Sequence, residues 1–133
     1  MIPALIGIAV GIVSIVLVRV LGRANQKIMY ALILACIGFL YVGYTWSDSM
    51  QLAITIIQAL VFLMLAYYGA TKNASFLIIG YFLHGVWDVL YTYLVSSELR
   101  PPHYDIFCLA VDFTMGAYMW LFRKKIITDV TPI

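Results

Sequence analysis

Two stretches of this sequence set ionisable side chains among apolar ones: Tyr81-Phe-Leu-His84-Gly-Val-Trp87-Asp88 and, one short loop later, His103-Tyr-Asp105-Ile-Phe-Cys108-Leu-Ala-Val-Asp112. A histidine beside carboxylates in a medium of low dielectric supports three kinds of chemistry. It binds a divalent metal, since neutral imidazole and carboxylates are the usual ligands of zinc, iron or manganese. It moves protons, because histidine titrates near neutrality and a desolvated carboxyl group can do the same. Or it only hydrogen-bonds, fastening two helices together. A lone His–Asp pair would favour that last reading. Here His84, Asp88 and Asp112 form a group of three, and the default for charged residues in an apolar span is a functional site.

These residues need a scaffold that can bury them, and composition names its class. The chain has 133 residues, 65% hydrophobic and 11% charged, with a mean hydropathy of +1.02. A soluble domain is about half apolar and a quarter charged. The expectation is therefore an all-α, polytopic membrane bundle forming a single domain over residues 1–133. Five stretches are long enough to cross a bilayer, at about 2–20, 28–46, 50–70, 76–95 and 104–122, since a span needs roughly 17–25 apolar residues. The first lacks a basic leader and a small-residue cleavage site, and is read as a retained span rather than a signal peptide. Short connections make consecutive helices antiparallel neighbours. Ser47-Asp48-Ser49 and Asn73-Ala74-Ser75 supply N-capping groups for the third and fourth helices, and Pro101-Pro102 prevents the fourth helix from continuing.

Basic residues set the expected orientation. Arg19, Arg23, Lys27, Lys72, Arg123, Lys124 and Lys125 fall on one side and Arg100 alone on the other. Because basic loops stay cytoplasmic, the N-terminus is expected outside and the C-terminus in the cytoplasm of a multi-pass cell-membrane protein. Tyr41, Tyr44 and Trp46 at one end, and Tyr67 and Tyr68 at the other, read as interfacial girdles. The net charge of +2 is too small to suggest nucleic acid.

Depth follows from helical rise. His84 and Asp112 each lie roughly 12 Å into their helices, near the midplane. In antiparallel helices, residue numbers summing to about 196 share a level, which pairs His84 with Asp112. Helical spacing puts Tyr81, His84, Asp88 and Tyr91 on one face of the fourth helix and Asp105, Cys108, Asp112 and Met119 on one face of the fifth. The third helix offers Gln51, Thr55 and Gln58. The expected site is a polar pocket opening outward. It has His84, Asp88 and Asp112 as catalytic or metal-binding groups, Tyr81, Tyr91, Gln58, Thr55 and Cys108 as lining, and His103 and Asp105 at its mouth. Asp105 also suits the positive end of a helix. Glu98 and Arg100 read as a solvated loop pair. Cys36 and Cys108 sit too far apart in depth for a disulfide, and Gly7 and Gly11 permit close helix approach.

The block His84-Gly-Val-Trp87-Asp88, with Pro102-His-Tyr-Asp105 and Phe107-Cys-Leu-Ala-Val-Asp112, resembles a family of small bacterial and fungal integral membrane proteins known as a domain of unknown function. That resemblance covers most of the chain and implies no activity. A more distant likeness is to membrane hydrolases of the ceramidase and progestin-receptor type, which hold zinc with histidines and an aspartate. This chain departs from them, with five expected spans instead of seven and one membrane-embedded histidine. Three functions stay open. The first is an enzyme acting on a lipid or isoprenoid-like substrate, by a divalent metal such as zinc or by general acid and base. The second is a proton-coupled transporter or translocation subunit, working as a homo-oligomer. The third is a non-catalytic subunit of a larger membrane complex.

Overall fold

A computed structural model describes residues 1–21, 25–94 and 102–128. Arg23, the last residue of the expected fourth span, Pro101 and the Glu98–Arg100 pair lie outside the described residues. The described chain is all helix: α1 Ile2–Leu21, α2 Gln26–Thr45, α3 Ser49–Thr71, α4 Ser75–Leu94, α5 Tyr104–Leu121 and the short α6 Arg123–Thr128.

Local chemistry fixes the starts. Asn25 accepts from the Ile28 amide at 3.1 Å at the head of α2. Asp48 accepts from the amides of Met50 and Gln51 at 3.0 and 3.1 Å at the head of α3, and Asn73 accepts from the Ser75 amide at 3.0 Å ahead of α4. Each satisfies amides that a helix end leaves without partners. Before α5, the chain turns at His103 with φ 59°, in the left-handed region.

The bundle turns its polar groups inward. Thr55, Gln58, His84, Asp88 and Asp112 are buried, whereas Ile12, Val13, Ile57, Val61 and Met64 are exposed. An apolar exterior of this extent has no counterpart in a soluble protein and is what a bilayer requires. Among the described residues, α1 to α4 are long and apolar enough to cross a membrane. The expected count of five is corrected to four on this measure: α5 is an 18-residue helix in the expected place, but Asp105 and Asp112 hold its apolarity below that of the others.

Packing departs from simple sequence order. α2 pairs with α3 and α4 with α5, as short connections predict, but α1 packs on α5 and scarcely touches α2. Two glycines explain the choice. A Cβ at Gly7 would lie 2.5 Å from the Phe107 carbonyl oxygen, and one at Gly11 would lie 2.9 Å from the Thr114 Cβ. The two backbones thus approach closer than any other residue allows.

α2 holds the other helices through its main chain as well as its side chains. The Gln58 side-chain amide donates to the Gly38 carbonyl at 2.6 Å, and the Tyr81 hydroxyl donates to the Tyr30 carbonyl at 2.7 Å. The Thr45 and Thr55 hydroxyls meet at 2.7 Å. A buried polar group without such a partner costs roughly 1–3 kcal/mol in protein measurements.

Candidate functional site

The inward face of α4 carries Tyr81, His84, Asp88 and Tyr91, all fully or nearly fully buried. His84 Nδ1 lies 2.7 Å from Asp112 Oδ2 on α5 and 3.4 Å from Asp88 Oδ2 one turn along its own helix. An ionised carboxylate accepts only, so against ionised Asp112 the imidazole supplies the proton of the 2.7 Å bond. The ligand-bearing atoms of the three residues all lie within 4.8 Å of one another.

A fourth residue completes the group. The Tyr41 hydroxyl on α2 donates to Asp88 Oδ1, and the Tyr41 ring stacks on Tyr91 with centroids 4.1 Å apart. Phe62 of α3 presents its edge to His84 at 4.7 Å. Helices α2, α3, α4 and α5 therefore enclose the cluster.

Two polar atoms in the cluster remain unused. Among the described residues, His84 Nε2 and Asp88 Oδ2 are buried and accept or donate no hydrogen bond. The ion pairs of the cluster are internal, joining His84 to Asp88 and to Asp112. Among the described residues, the lysines and arginines stand at or near helix ends. Two carboxylates and one imidazole thus share a dry interior with no described lysine or arginine among them. Buried charge of this kind demands a cation or extra protons.

The separations suit a divalent ion. Ligand atoms about 2.0–2.2 Å from one metal lie roughly 2.8–3.6 Å apart at angles between octahedral and tetrahedral. The 3.4 Å contact on His84 falls within that range and the 2.7 Å contact lies just below it. Three protein ligands leave a coordination position open, which distinguishes catalytic from structural sites.

Beside the cluster is a cavity of about 210 Å³. Tyr41, His84, Cys108 and Asp112 give it polar groups, and α1, α2 and α5 supply the rest of its wall, which is mostly aliphatic and aromatic. Asp88 stands behind this wall. The structure brings together His84, Asp88 and Asp112, and sets Cys108 on the cavity beside them. Tyr91 backs Tyr41, and Tyr81 is engaged with α2. Thr55 and Gln58 are spent on α2, and Gln58 also borders a separate groove between α3 and α4 with Trp87. Asp105 is half-buried and accepts from the Thr92 hydroxyl at 3.2 Å, and His103 is exposed. Cys36 and Cys108 are both free thiols.

Tyr41 is the residue that sequence reasoning misplaced. Near the end of α2 it reads as part of an interfacial girdle, yet it is 1% exposed. A signal was present: Leu34, Gly38, Tyr41 and Thr45 follow helical spacing and form the buried face of α2.

A multi-pass helical membrane protein with a buried His/Asp cluster able to hold a divalent cation is the class that this fold and site define. Within that class the chain belongs to DUF6010, a family of unknown function, which matches residues 2–125 and so includes the whole cluster. No curated protein and no solved structure matches the chain.

Proposed function

We propose that the protein is a membrane enzyme in which His84, Asp88 and Asp112 hold a divalent metal and act on an amphiphilic, lipid or isoprenoid-like substrate. The observation that carries this reading is the uncompensated pair of buried carboxylates around one imidazole, beside an apolar cavity. A divalent ion balances that charge, and its open position toward the cavity would activate water or polarise a substrate oxygen. Tyr41 then serves as an outer partner that orients Asp88.

The test is elemental analysis of protein purified into nanodiscs without chelator. About one transition metal per chain is expected, lost on chelation and lost in H84Q, D88N and D112N. Wild-type protein that carries no metal and binds no added Zn²⁺ overturns the reading.

A second reading rests on a different observation, the unbroken series of contacts from Tyr41 through Asp88 and His84 to Asp112. Such a series can relay protons. Metal-free protein that acidifies the lumen of liposomes under a pH gradient would establish this reading instead.

The topology we propose is one membrane domain with five crossings, α5 included. Its N-terminus is outside and its C-terminus is in the cytoplasm. Support comes from Arg19, Lys27, Lys72, Arg123, Lys124 and Lys125, which an alternating path places on one side. α5 crosses despite its aspartates because α4 engages both, Asp112 through His84 and Asp105 through Thr92. A fluorescent protein fused after the C-terminus is expected to mature in the cytoplasm, and a periplasmic phosphatase fused there to be inactive. The opposite pair of results reverses the orientation.

A further inference from the structure

We infer that the cavity between α1, α2 and α5 is the seat of a single hydrocarbon chain, which enters sideways from the bilayer through the seam between α1 and α2. The inference deepens the enzymatic reading by naming the form of the substrate. Its role as substrate rests on that reading, whereas the seat itself does not.

The seam comes from the packing. α1 and α2 follow one another in the chain yet scarcely touch, because the glycine face of α1 is committed to α5. Val10 on α1 and Leu40 on α2 both border the cavity, and both remain exposed on the outside of the bundle, at 39% and 46%. The opening therefore faces lipid tails. The α1 wall offers the occupant no free donor, since the Ser14 hydroxyl donates to the Val10 carbonyl at 2.9 Å.

Shape selects the occupant. The α5 wall runs from Tyr104 to Met115, about 16 Å along the helix axis. A volume of about 210 Å³ is below the roughly 300–1,000 Å³ of pockets for compact drug-sized ligands. A small, largely apolar space with a wall of this length fits one extended chain better than the paired chains of a phospholipid. His84 and Asp112 lie part-way along it, so a chain in this seat passes directly by the cluster.

The test is photo-labelling of the full chain in nanodiscs with two probes, followed by peptide mapping. One is a neutral long-chain alcohol bearing a diazirine in its tail, and the other is a two-chain phospholipid with the same diazirine. The alcohol is expected to label the inward-facing cavity residues Ser14 of α1 and Val111 and Met115 of α5. The phospholipid should label only outward positions such as Leu60 on α3. Ile37→Trp and, from the opposite wall, Val10→Phe are each expected to reduce cavity labelling at least fivefold while leaving Leu60 labelling intact. A wild-type elution volume in size-exclusion chromatography reports that each variant has folded. Equal cavity labelling by both probes, or labelling indifferent to both substitutions, overturns the inference. Repeating the experiment in H84Q separates the two claims: cavity labelling that persists without metal upholds the seat even if the metal reading fails.

Discussion

Replacing Asp112 by alanine is expected to destabilise the protein by about 3–5 kcal/mol, the range seen when one partner of a buried ion pair is removed. The change takes away the acceptor 2.7 Å from His84 Nδ1 and leaves the ring with Asp88 at 3.4 Å as its only ion-pair partner among the described residues. Hydrogen bonds between membrane helices average about 0.6 kcal/mol in double-mutant cycles. This one should exceed that average, because the link is short, involves ionisable groups and has almost no access to water. Asp112→Asn keeps the shape and an acceptor, so about 1–3 kcal/mol is expected. Tyr41→Phe, which removes the donor to Asp88 Oδ1, belongs in the same lower range. Unfolding of purified protein followed by tryptophan fluorescence would rank the three. An alanine variant within about 1 kcal/mol of wild type would mean that the cluster contributes little to fastening α4 to α5.

Gly7→Leu is expected to be nearly as severe, costing about 3 kcal/mol, at the upper end of the range for overpacking. The obstruction is the backbone carbonyl of Phe107, 2.5 Å from where a Cβ would stand, and a carbonyl in a helix cannot rotate aside as a side chain can. The helices must separate, which opens the wall of the cavity that they share. Gly43 is the built-in comparison, since a Cβ there meets nothing within 4 Å. Gly43→Ala should leave stability unchanged or raise it by roughly 0.5–1 kcal/mol through reduced backbone freedom. Equal effects at the two glycines in thermal unfolding would contradict the close approach of α1 and α5.

The helices were legible in the sequence to within a residue or two, because Ser47-Asp48-Ser49 and Asn73-Ala74-Ser75 mark starts that hydropathy alone leaves loose. The contact between His84 and Asp112 was also legible. Antiparallel helices with a short connection fix which residues share a level, and polar spacing fixes the face. Tyr41 was not, for a physical reason: an aromatic with a hydroxyl suits either a membrane interface or a buried acceptor, and only the three-dimensional position of Asp88 decides. Nor was the choice of α5 over α2 as the partner of α1. Loop length favours the sequential neighbour, and a pair of glycines announces close packing without naming its counterpart. The rotation of α3 escaped as well. With apolar residues on all its faces, Thr55 and Gln58 could not say which helix they serve.

The attachment of α1 to α5 bears on how the chain is made. α1 leaves the ribosome before the other described helices, and the surface it packs against follows about 100 residues later. At about 5–20 residues per second, some 5–20 s separate the completion of the two helices. During that interval α1 must reside in lipid by itself. It is suited to do so, being the most apolar of the four membrane-length helices, with its Ser14 hydroxyl already bonded within the helix. α5 has no such independence. Asp112 finds its partner only when α4 is beside it, so α5 enters the membrane together with its neighbour, and α1 closes over both.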